Sequence, residues 1–127
     1  MRYLILFSRG VNWLEHVRLP DQPHMPEHAV YVQKRFEQGD VIFAGPFEDF
    51  SGGAILIDVK DEEDLLDFIQ NDPAVRNEIF TYQYKKWGQL MSKFENINPK
   101  FDQGYIDYKH KVQAEQQIPH SIDERKE

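Results

Sequence analysis

At 127 residues the chain suits a single domain, long enough to bury roughly two-thirds of the unfolded chain's surface. It has no cysteine, which removes disulfides, thiolate metal sites and cysteine nucleophiles. Its formal net charge of −7 argues against a nucleic-acid backbone or an anionic membrane as partner, since both need a basic surface.

The first strand is predicted at residues 3–7, which are also the longest apolar run in the chain. That run is far too short to span a membrane, and no signal-peptide layout precedes it, so a cytoplasmic protein is expected. Tyr3, Ile5 and Phe7 fall on one face and Leu4 and Leu6 on the other, the pattern of a strand covered on both sides. Residues 8–26 hold Pro20, Pro23, Pro26, Gly10 and Asn12 and read as a long loop, with a short helical turn expected around 13–18. Loops of that length in a compact domain are often functional or mobile.

Pro26 suits the first turn of a helix, where its missing N–H costs nothing. Ala29, Val32 and Phe36 then recur at helical spacing and predict a buried stripe, closed by Gly39. A second strand follows at 41–44 and ends at Gly45-Pro46. Gly52-Gly53 marks a turn into a third strand at 54–59, apolar on both faces. Asp61, three residues before Asp64, is placed to cap a second helix whose buried stripe is Leu65, Phe68 and Ile69. A fourth strand is expected at 79–87, with Phe80, Tyr82 and Tyr84 on one face. Those aromatics are read as core or interface rather than a base-stacking platform, because the chain is acidic.

The order β-α-β-β-α-β is the ferredoxin-like arrangement: an α+β fold with a four-stranded antiparallel sheet and two helices on one face. The domain is expected at 1–87. Because the first and third strands are apolar on both faces, a homodimer packed sheet to sheet, or a larger assembly, is expected. The alternative is that residues 88–127 cover the open face. That segment is predicted to be an arm with a short helix near 89–94, helix-permissive at 109–117 and solvated from 121 to 127.

Two residues stand out chemically. His28 lies in the first helical turn beside the apolar stripe, where its ring can enter a cleft between helix and sheet. Histidine exchanges a proton near neutral pH and serves as general acid or base. It can equally be a half-buried structural histidine. Asp72, in Asn71-Asp72-Pro73, reads first as the cap of a short helical turn. The β-α-β-β-α-β layout also permits it to reach His28, bond Nδ1–H and leave Nε2 free as a base. His24-x-x-x-His28 has metal-pair spacing, but Pro26 between them should hold His24 outside the helix. No metal, redox cofactor or glycine-rich phosphate loop is signalled.

The ordered set formed by His28, Gly39-Asp40, Ala44-Gly45-Pro46, Asn71-Asp72-Pro73-Ala74-Val75 and an aromatic strand ending at Trp87 resembles the YciI-like (YCII-related) family. The resemblance implies a dimeric α/β barrel, related in shape to muconolactone isomerases and small cofactor-free oxygenases. It also implies a His-Asp active site, which falls on His28 and Asp72. One characterised relative is a dehydrochlorinase acting on a chlorinated hydroxyhydroquinone. The chain departs from the family pattern in the loop 8–26 and in the segment past 87. The expectation is a cofactor-free lyase or isomerase acting on a small cyclic or carbonyl compound. The alternative is a metabolite-binding or assembly module of the same fold.

Overall fold

The computed structural model describes residues 1–121. Two compact units divide the chain, residues 1–88 and residues 89–127. In the first unit β1 (Arg2–Arg9) leads through a loop to α1 (Met25–Glu37). Next come β2 (Val41–Pro46), β3 (Gly52–Asp58), α2 (Glu62–Gln70), the short α3 (Pro73–Arg76) and β4 (Phe80–Lys86). The sheet order is β2-β3-β1-β4, antiparallel throughout. This is the ferredoxin-like α+β fold.

Alternation on β1 decides which face meets the helices. Tyr3, Ile5 and Phe7 are buried and share one core with Val32 of α1 and with Leu65, Phe68 and Ile69 of α2. Both helices therefore lie on that face. Full burial of side chains such as Ile5, Ile57, Leu65 and Ile69 contributes about 1.5–3 kcal/mol each. The opposite face carries Leu4 and Leu6 on β1 and Leu56 on β3, with Leu4 opposite Leu56. Phe43 of β2 also pairs with Leu56 and is half exposed. A register shift between Val41 and Phe43 bends β2 before it reaches the end of the sheet.

Local signals set the element ends. Gly39 adopts φ 90° after α1, a left-handed conformation that glycine tolerates without strain. The Asp61 side chain accepts a hydrogen bond from Asp64 N at 2.8 Å and starts α2. Arg35 then ties α1 to α2, bonding Asp40 at 2.6 Å and Asp64 at 3.0 Å. Tyr31 adds a second tie. Its ring stacks on Phe68 and its hydroxyl donates to the Phe68 carbonyl at 2.7 Å.

Burial, with smaller contributions from Asp72 and Asp67, pushes the Tyr31 phenol up from 10.0 to about 12. The neutral phenol is thus favoured in the folded state. Its stabilisation is complete below about pH 10 and is lost as pH rises through about 12. In alkaline thermal melts, Tyr31→Phe should flatten the loss of stability between those two values. An unchanged pH profile would contradict this assignment.

Two expectations about helices are corrected. The helical turn expected at 13–18 is a 3-10 turn at Leu19–Asp21 instead, where Pro20 supplies the required φ. In the second unit, residues 89–94 do not form a helix. They run into a turn closed by a Ser92–Ile97 bridge, and the helix, α4, lies at Gln103–Glu115. The physical reason is the cap: Asp102 accepts from Tyr105 N at 3.0 Å, whereas no such residue starts a helix at Gln89. The solvated stretch expected at 121–127 lies, past Ser121, outside the described residues. Among the described residues no helix is long and apolar enough to cross a membrane.

Candidate active site

His28 sits in the first turn of α1, and Asp72 caps α3. The fold brings them together. His28 Nδ1 lies 2.7 Å from Asp72 Oδ2 and 2.9 Å from Oδ1. Asp72 is fully buried, whereas the His28 side chain keeps 16% of its surface. Asp72 also accepts a bond from Ala74 N at 2.9 Å. It is therefore both the helix cap and the histidine's partner; the two readings of this residue are compatible. An ionised carboxylate has only acceptors, so beside one the hydrogen of this contact sits on Nδ1. No protein group among the described residues bonds Nε2.

The imidazole is held by rings on two sides. It meets Phe7 and Phe80 edge-on, with centroids at 5.7 and 5.5 Å and interplanar angles of 83° and 84°. Phe7 and Phe80 stack on each other at 5.2 Å. With its ring confined and Nδ1 occupied, His28 presents Nε2 in one orientation. Close strand packing supports this wall. A Cβ on Gly52 would sit 1.9 Å from the Phe7 carbonyl oxygen, so β3 can approach β1 here only with glycine.

His28 opens onto a cavity of about 720 Å³. Its floor is formed by the adjoining ends of β2 and β3, including Ala44 and Gly53; its wall is α1, with Ala29, Val32 and Phe36. Leu19, Pro20 and Met25 close one side. Among the described residues that line it, the only polar side chain apart from His28 is Gln33. An apolar chamber with one titratable group is suited to holding a small molecule and moving a proton on it.

The stripe Ala29, Val32, Phe36 therefore has a different use from the one its spacing suggests. Only Val32 is buried, while Phe36 is 53% exposed. The stripe faces the cavity, and apolar periodicity alone does not distinguish that from core.

His24 stands outside the helix, at left-handed φ 63°, and among the described residues no three metal-ligating side chains cluster. Tyr82 and Tyr84 pack against the core on the helix side, and Tyr84 donates to Glu62 at 2.8 Å. Sequence reading did not single out Gln22, which is almost wholly buried. Its amide donates to the Leu14 and Val17 carbonyls at 2.8 Å and accepts from Leu14 N at 2.9 Å, fixing the loop that leads into α1. A lone glutamine in a loop gives no pattern from which that clamp could be read. The ring pair Phe7 and Phe80 was visible only as strand residues.

The model of the YCII-related domain family matches residues 1–88. The chain belongs to this family. No curated protein matches the sequence. Among solved structures the chain is similar to the 5-chloro-2-hydroxyhydroquinone dehydrochlorinase TftG of Burkholderia phenoliruptrix AC1100, in complex with 2,5-dihydroxybenzoquinone. The TM-score is 0.57 at 16% identity, covering 69% of this chain and 94% of that one. At that identity the likeness establishes the fold.

Proposed function

We propose that this YCII-related protein is a cofactor-free acid–base enzyme of lyase, isomerase or dehydrochlorinase type. Its substrate is a small cyclic or carbonyl-bearing compound. His28 carries the proton and Asp72 orients the ring. The observation that supports this most is the 2.7 Å bond between Nδ1 and a fully buried carboxylate, on a histidine that lines an apolar cavity. Nε2 removes a proton from a C–H or O–H group of the bound ligand. The electron pair left behind forms a new π bond. In an elimination the leaving group departs as an anion, chloride in the dehydrochlorinase case, so the net change is loss of HCl. In an isomerisation the imidazolium returns the proton at another carbon.

The test is a panel of chlorinated hydroquinones, lactones and cyclic diketones, screened by thermal shift and then for product. Turnover by the native protein and its loss by about 10²–10⁴-fold in His28→Ala is the expected result. Ligand-induced stabilisation without any product would favour the non-catalytic alternative, a metabolite-binding module. Equal turnover by the variant would overturn the role of His28.

We further infer that the protein works in the cytoplasm as a two-fold dimer through the open sheet face. Leu4, Leu6 and Phe43 lie there and keep part of their surface, an apolar set around the buried Leu56 that a second copy would cover. Leu4→Lys places a charge at its centre and should convert a dimer to a monomer in size-exclusion chromatography with light scattering. A native protein that is already monomeric would contradict this reading.

A further inference from the structure

Two guanidinium groups stand out in a chain of net charge −7. Arg2 and Arg35 each have carboxylate partners, Asp58 for the first and Asp40 and Asp64 for the second. Arg9 and Arg18, like Arg76, have none within ion-pairing distance among the described residues, and what sets these two apart is their shared neighbour. Both lie against Phe50. The Arg9 Nη2 donates to the Phe50 carbonyl at 3.5 Å, and the Arg18 guanidinium lies 5.9 Å from the ring centroid. The nearby Asp49 carboxylate feels the charge of Arg9, but it is already engaged by Ser51 N at 3.0 Å and Ser51 Oγ at 2.7 Å.

Chain connectivity sets this pair beside residues that line the His28 cavity, although neither arginine is itself part of the lining. Arg9 follows the lining residue Phe7 by two positions, and Arg18 immediately precedes Leu19 and Pro20, which also line it. Phe50 precedes the lining Gly52 and Gly53. The rings connect the two places as well. Arg9 lies over Trp13 at 5.0 Å, Trp13 stacks on Phe80 at 6.2 Å, and His28 meets Phe80 edge-on. A guanidinium held over a ring leaves in-plane N–H groups, beyond the one Arg9 gives to Phe50, that can take a carboxylate on two donors.

We propose that Arg9 and Arg18 form a carboxylate-binding subsite of the His28 cavity, so that the substrate is a small planar acid held by its carboxylate at the rim. The inference builds on the acid–base reading of that cavity and names the substrate class. The apolar lining takes the ring system, and the rim takes the charge, leaving the reacting atom toward His28.

The test uses a matched pair of probes, 2-naphthoate and its neutral amide, 2-naphthamide, titrated calorimetrically into the full-length protein. The carboxylate should bind at least about 10-fold tighter than the amide, and the margin should shrink as salt rises. In the Arg9→Gln/Arg18→Gln double variant the two affinities should become equal, with amide binding retained as the sign of an intact cavity. Equal affinities in the native protein, no binding of either probe, or a preference that survives the double substitution would each overturn the proposal. His28→Ala separates the two readings. It should keep the preference for the carboxylate, whereas the acid–base reading fails if that variant keeps native turnover.

Discussion

Replacing Asp72 by asparagine should leave the protein folded and lower its turnover by ~10²–10⁴-fold. Asparagine caps helices about as well as aspartate, so the bond from Ala74 N survives and stability should change by no more than about 1 kcal/mol. The histidine side is different. A carboxylate only accepts, and so keeps the hydrogen on Nδ1; the asparagine amide also donates. An amide N–H turned toward Nδ1 at the native 2.7–2.9 Å drives the hydrogen to Nε2, which is then no longer a base. Chemical denaturation paired with steady-state rates checks both halves. A variant that keeps native kcat would show that the tautomer is irrelevant to the activity.

Asp72→Ala should have the largest effect on stability. It removes the cap of α3 and strands the His28 Nδ1–H against the ring pair Phe7 and Phe80. Losing the cap costs about 0.5–2 kcal/mol and an unsatisfied buried donor about 1–3 kcal/mol, together roughly 2–4 kcal/mol. For a domain of this size that corresponds to a melting point lower by roughly 10–20 °C. His28→Ala removes the donor along with its partner's bond, so the double variant His28→Ala/Asp72→Ala should lose less than the sum of the singles. Strict additivity would mean that the two side chains do not act as a unit.

Much of the fold is legible because its signals are local. The Asp61 cap, the stripe Leu65, Phe68 and Ile69, and Gly39 after α1 each act within a few residues, and each stands where its pattern places it. The alternation of Tyr3, Ile5 and Phe7 identifies the core face for the same reason. What fails is any inference that depends on what lies opposite. Ala29 and Phe36 have core spacing, yet they face an open cavity, since periodicity records a face and not its occupant. The 3-10 turn at Leu19–Asp21 and the clamp from Gln22 depend on tertiary hydrogen bonds across the loop and leave no periodic trace. For the site, the residue types at positions 28 and 72 were open to chemical reading, and their separation by 44 positions was bridged by the assumed topology and by the family resemblance. The rings Phe7 and Phe80 that confine His28 could not be told from ordinary strand residues.

The central claim is that His28, held by Asp72, moves a proton on a ligand in the cavity. Hydrogen–deuterium exchange into a cyclic carbon acid reports that step without requiring the natural substrate. With 1,2-cyclohexanedione in D2O, followed by proton NMR, the native protein should accelerate exchange at the ring carbons next to the carbonyls. His28→Ala and Asp72→Asn should each slow it by at least ~100-fold. Exchange at the native rate in either variant would contradict the account.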